Sequence, residues 1–60
     1  MIHKVEKNGK FYVVETGYGF NTARSTVHCY NRVDQFGRLI DGECIYMGDW
    51  DDCMKFVESL

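Results

Sequence analysis

The last twelve residues, Asp49–Leu60, carry a helical hydrophobic period, and the chain before them reads as strands and turns. At about 100° per residue, Trp50, Cys53, Met54, Phe56, Val57 and Leu60 fall on one arc, with Asp51, Asp52, Lys55, Glu58 and Ser59 opposite. Asp49 stands where an N-cap is expected, Asp52 sits at N3 like the acid of a capping box, and both Asp51 and Asp52 suit the positive end of the helix dipole. A helix this short is marginal in isolation, so its apolar stripe must lie on something. The partner has to be a sheet.

Ile2–Lys7 and Lys10–Thr16 flank Asn8-Gly9, a dipeptide that accepts positive φ at both positions of a type I′ turn. A two-residue loop pairs Val5 with Tyr12 and His3 with Val14 on one face, and Glu6 with Phe11 and Lys4 with Val13 on the other. The first face is the expected core side, and Phe11 and Val13 imply some cover on the second. Arg24–Val33 favours a third strand, with Val27, Cys29 and Val33 on one face and Thr26, His28, Tyr30 and Arg32 on the other. Asp34-Gln-Phe-Gly37 fits a type I turn closed by a left-handed glycine. Arg38–Ile40 continues as strand, Asp41-Gly42 is a bulge or a tight turn, and Glu43–Met47 follows, read as one bent strand. The expected order is β-β-β-β-α: an α+β domain with an antiparallel sheet of about four strands and one C-terminal helix on one face. The expected core is Val5, Tyr12, Val14, Val27, Cys29, Val33, Ile40, Ile45, Trp50, Met54, Val57 and Leu60.

Sixty residues make one small domain, residues 1–60, and a chain of that size buries only about 60% of its unfolded surface. A cleft of roughly 300 Å³ or more would remove much of its core, which argues against an enzyme. Nine Phe, Tyr and Trp residues exceed what so small a core can hide, so some should reach a partner. The net charge of −2 lacks the electrostatic footprint of a strong nucleic-acid binder. Charge is split nevertheless: five of nine carboxylates follow residue 42, whereas Arg24–Arg38 holds three arginines against one aspartate. Cys29, Cys44 and Cys53 cannot all pair within one chain, no signal-peptide stretch opens the sequence, and no run has the length of a membrane span. Together these point to the cytoplasm, or a host cytoplasm if the protein is viral. The initial Met suggests a complete small protein.

No constellation commits the chain to a chemistry. Asp49, Asp51 and Asp52 lack the glycine turn and distal glutamate of a calcium loop and serve a helix start better. His28 and Cys29, neighbours on a strand, point to opposite faces, and no Cys-x-x-Cys occurs, so neither a metal nor any other cofactor is expected. His3 and His28 have no nucleophile at a diagnostic spacing. Gly17-Tyr-Gly-Phe20 matches the centre of the aromatic strand motif of RNA-recognition domains, but Thr16 replaces the basic residue before it and Asn21 the aliphatic after it. What remains of that signal is a stacking loop, with Tyr18, Phe20 and Arg24 on a single strand. Arg24, Arg32, Arg38, Tyr30 and Phe36 are the residue types of a protein-binding hot spot on the sheet face or edge turned away from the helix.

The second half, Val33-Asp-Gln-Phe-Gly-Arg-Leu-Ile-Asp-Gly followed by Ile45-Tyr-Met-Gly-Asp-Trp-Asp-Asp-Cys-Met-Lys-Phe-Val, resembles the strand, glycine-turn and acid-started helix of small bacterial and phage accessory proteins. In size and element style, with Lys10-Phe-Tyr and Ile45-Tyr as matching pieces, it is similar to the phage inhibitors of host RNA polymerase. Cys53 stands where such helices usually carry Ala. The resemblance implies an accessory protein acting by binding and transfers no functional residue. The expected function is therefore a non-catalytic protein-binding module, a regulator or inhibitor of a larger host protein. The alternative is a weak single-stranded nucleic-acid binder using Tyr18, Phe20, Tyr30 and the arginines. A homodimer through the Ile2–Lys7 edge is also open, because only Lys and Glu blunt it.

Overall fold

The structure, a computed structural model, describes residues 1–17 and 24–60. Strands β1 (Ile2–Lys7), β2 (Lys10–Thr16), β3 (Ser25–Val33) and β4 (Leu39–Gly48) form one antiparallel sheet in the order β1-β2-β3-β4, and helix α1 (Trp50–Glu58) follows. This is the β-β-β-β-α arrangement that the sequence pattern predicts.

Asn8 and Gly9 have φ of 54° and 79°, as a type I′ turn demands. The turn fixes the register: Val5 faces Tyr12, His3 faces Val14, Glu6 faces Phe11 and Lys4 faces Val13. The second hairpin closes through Asp34. The Gly37 N–H donates to the Asp34 carbonyl at 3.0 Å, and Gly37 sits at φ 81°. Continuing the register across β3 gives alternating rungs. Val5–Tyr12–Cys29 and His3–Val14–Val27 face the helix, while Lys4–Val13–His28 and Glu6–Phe11–Tyr30 face away.

Val14, Val27, Cys53 and Val57 meet at the centre of the core with almost no solvent contact, and Tyr12 and Cys29 extend it. Val5, Tyr46, Trp50, Met54 and Phe56 pack around that centre. The helix is held at its C-terminal end from a distance in sequence. The Lys7 ammonium donates to the carbonyls of Val57 (2.8 Å), which also accepts from Leu60 N–H at 3.2 Å, and Glu58 (3.1 Å), both in the last turn where helical carbonyls lose their regular partners. At the other end Asp49 occupies the N-cap position with extended backbone, but its side chain makes no capping bond. Its carbonyl still accepts the first helical bond, from Cys53 N–H at 2.9 Å. The acidic first turn therefore acts through the dipole alone.

Four expected core residues are corrected. Val33 is exposed because β3 runs past β2: Tyr30 is the last β3 residue with a β2 partner, and Val33 pairs only with Leu39. Leu60 lies beyond the C-cap Ser59 and is also exposed. Ile45 is displaced by a bulge. Val27 pairs with Tyr46 but His28 with Cys44, so Ile45 is the extra residue. A bulge shifts strand alternation by one, which sends Tyr46 to the helix instead of Ile45. Tyr46 stacks on Phe56, with ring centroids 4.5 Å apart and planes 11° apart. Ile40 faces Arg32 on the side away from the helix and is half-buried. The bulge is thus not at Asp41-Gly42. That pair lies within the single strand β4, where Asp41 takes φ 60°.

Gly42 is required for a different reason. It sits opposite Tyr30, whose ring occupies the place where a Cβ would project. A side chain on Gly42 therefore has to displace that ring. Gly42→Ala should destabilise the protein by about 1–2 kcal/mol. In a Tyr30→Ala background the same change should cost nothing or stabilise, since Gly is a poor strand residue. A double-mutant cycle in urea reads the coupling.

Candidate interaction surface

The sheet face away from α1 is the structural candidate for function. Its rungs are Ile2–Glu15–Thr26–Met47, Lys4–Val13–His28–Cys44 and Glu6–Phe11–Tyr30–Gly42, with Arg32–Ile40 beyond. It is not a bare polar surface. Val13, at its middle, is only 7% exposed, and Phe11, Thr26, His28, Tyr30 and Ile40 are half-buried. Met47, by contrast, is 54% exposed. An open cleft of about 250 Å³ at the hairpin end of the sheet brings Gly37 and Leu39 alongside Lys4, Val5, Glu6, Phe11 and Tyr12, residues of both faces.

Of the residues singled out by sequence, Tyr18 and Phe20 lie outside the described residues. Tyr30 lies on the expected face, over Gly42 and beside His28, with ring centroids 6.4 Å apart. Arg32, Phe36 and Arg38 gather at the second hairpin. Arg32 Nε donates to Asp41 Oδ2 at 2.7 Å. Arg38 Nε donates to Asp34 Oδ2 at 2.9 Å, and its guanidinium stands 5.2 Å from the Phe36 ring centroid. Phe36 is 71% exposed, an aromatic held outward by a cation and a tight turn. Arg24 stands apart. It is exposed just ahead of β3, about 20 Å from Tyr30 at the rise of an extended strand, with its carbonyl accepting from Gly17 N–H at 2.6 Å. The five-residue patch of arginines and aromatics is thus a hairpin cluster plus Tyr30, without Arg24.

Met47 and Cys44 are members of this face that sequence reasoning missed. Alternation from Arg38 through Ile40 and Gly42 reaches Cys44 in the right phase, but the bulge beyond it puts Met47 out of phase, and no Gly or Pro at Ile45 marks that bulge. Thr26 and His28 were legible, and the Thr26 hydroxyl lies 3.5 Å from His28 Nδ1.

Asp34 organises the hairpin. Its Oδ1 accepts from the N–H groups of Arg38 (2.8 Å) and Phe36 (2.9 Å). The Arg38 backbone bond is the largest cause holding this carboxyl below its ordinary pKa, with the Phe36 and Arg38 side-chain bonds adding to it against a desolvation effect. Cys53 is perturbed the other way. Burial pushes its thiol up, and the Asp52 and Asp49 carboxylates add to that, against a backbone hydrogen bond from Gly48. Cys53 therefore stays a neutral core thiol at physiological pH. Cys29 is also free and buried, and Cys44 is free and exposed, its thiol donating to the Tyr46 carbonyl at 3.6 Å. Among the described residues no group of three or more His, Cys, Asp or Glu side chains is placed to hold a metal ion. Nor is any described helix long and apolar enough to cross a membrane.

No protein-family model, curated protein or solved structure matches the chain.

Two outcomes follow from the side-chain chemistry. A depressed carboxyl pKa contributes stability that is present above the unfolded-state pKa and is lost as pH falls through the folded value. The Phe36 and Arg38 amides should lose exchange protection only below the ordinary carboxylate range, and Asp34→Ala should lose it at every pH. NMR of those two amides is the check. In thiol labelling of the folded protein, Cys44 should react at once. Cys29 and Cys53 should react at the rate of opening, so a mass-spectrometric time course should show one fast label and two slow ones.

Proposed function

We propose that this chain is a small non-catalytic protein-binding module, a regulator or inhibitor of a larger protein, working through the sheet face away from α1. The observation that carries this reading is the composition of that face. Tyr30, His28, Phe11 and Met47 occupy its rungs, the exposed Phe36 stands at its hairpin end, and Arg32 and Arg38 beside them are paired with Asp41 and Asp34. Aromatics and Met at the centre with polar groups at the rim are the pattern of recognition surfaces. The molecule spans 34 by 26 Å across its broad dimensions, so one face is of the order of the ~800 Å² per partner that stable complexes use. Single-stranded nucleic acid is the weaker reading, because Arg32 and Arg38 are engaged by Asp41 and Asp34 and the chain is acidic. The style shared with phage and bacterial accessory proteins supports a host target, and three thiols without a disulfide suit a cytoplasmic setting.

Affinity capture with wild-type protein, compared with Met47→Glu, Phe36→Glu and the outer-helix control Lys55→Glu, tests the proposal. A stoichiometric protein partner should be retained by the control and lost by the two face variants, each weakening binding by about tenfold or more. Retention by all three would reject the face. Binding of labelled single strands at low salt, abolished by the same variants, would replace the reading.

A further inference from the structure

The two edges of the sheet are unlike. Edge β4 carries the Ile45 bulge and the left-handed Asp41, both of which turn backbone groups out of line. Edge β1 is regular: six consecutive residues pair with β2, with no register shift and no positive φ. Among the described residues β1 is paired on one side only. The direction of its free groups follows from the ladder. Thr16 N–H donates to the Met1 carbonyl at 3.1 Å, which makes Met1–Thr16 a hydrogen-bonded pair. Such pairs alternate along an antiparallel ladder, so the odd residues of β1 bond to β2. Ile2, Lys4 and Glu6 therefore aim their N–H and C=O groups outward.

A second copy fits this edge, and charge chooses its register. Residues directly opposite in an antiparallel pair must share a face. For two identical strands related by a two-fold axis perpendicular to the sheet, the axis must then pass through a residue facing itself. Centred on Lys4, the pairing sets Lys4 against Lys4. Centred on Glu6, it sets Glu6 against Glu6. Centred on Val5, it sets Lys4 of each copy against Glu6 of the other, twice. Opposite charges across a rung are favourable and like charges are not. In that register each Lys4–Glu6 rung also joins residues whose backbone groups point outward, so both backbone hydrogen bonds of the rung can form. Val5, half-buried on the helix side, meets its own copy at a non-hydrogen-bonded position, where side chains approach closest.

We propose that this chain forms a two-fold homodimer through β1, centred on Val5 and held by reciprocal Lys4–Glu6 rungs. The result is a continuous eight-stranded sheet with both helices on one side and both uncovered faces on the other. The dimer goes beyond the protein-binding reading and does not depend on it. The strip is narrow and the interface belongs to the small class, so association is concentration-dependent.

Sedimentation equilibrium of the full chain, up to about 1 mM, tests the assignment with Lys4→Glu, Glu6→Lys and their equimolar mixture. Lys4 and Glu6 are both exposed, and far-UV circular dichroism confirms that each variant keeps the fold. Wild type should dimerise. Each variant alone should be shifted to monomer by about tenfold or more in dissociation constant, because every rung then carries like charges. The mixture should restore the dimer, since the two variants are complementary. In wild type, the amides of Lys4 and Glu6 should gain exchange protection as concentration rises, while those on the outer edge of β4 should not. A wild type that stays monomeric, a single variant that dimerises like wild type, or a mixture that stays monomeric would each overturn the assignment.

Discussion

Everything in this molecule depends on the meeting of two valines from the sheet with two residues from the helix. Val14 and Val27 lie side by side on neighbouring strands, and Cys53 and Val57, one helical turn apart, close over them. A chain this small has no second core to fall back on. The position of α1 over β2, β3 and β4 decides which sheet face is interior and which is free. Lys7 then fixes the end of the helix from the first strand, linking residues 50 positions apart.

Where local chemistry dictated geometry, the sequence was readable. Asn8-Gly9 determined a turn, the turn determined a register, and the register sorted two strands onto two faces. Asp34-Gln-Phe-Gly37 did the same for the second hairpin, and the helical period placed Cys53 and Val57 inward. What was not readable came from tertiary matching. The one-residue bulge at Ile45 exists because β4 must offer Tyr46 to Phe56 and still pair with β3 further along. No residue at Ile45 announces that compromise. The same misphasing hid Met47 from the list of face residues. Val33 failed for another reason: alternation gives a side chain's direction but not whether anything lies there to meet it.

The candidate surface was legible in part. Arg32, Phe36 and Arg38 sit on one hairpin with Tyr30 on the strand that leads to it, and both of its arginines are engaged by neighbouring aspartates. The sequence showed the excess of basic groups in Arg24–Arg38. It could not show that Asp41, from the following strand, returns to Arg32, because that contact depends on the hairpin register. The resulting surface sets apolar and aromatic side chains among Lys4, Glu6 and Glu15, with its two arginines engaged by carboxylates, a character that suits protein recognition better than phosphate binding.

The Ile45 bulge has a consequence for how far such a molecule can assemble. A sheet ready to accept neighbours along both flanks grows without limit, towards fibres. With one flank straight and the other kinked, growth has a single starting side and no second one from which to continue. In the proposed dimer both outer edges would be β4, where the bulge and the left-handed Asp41 disfavour a further strand.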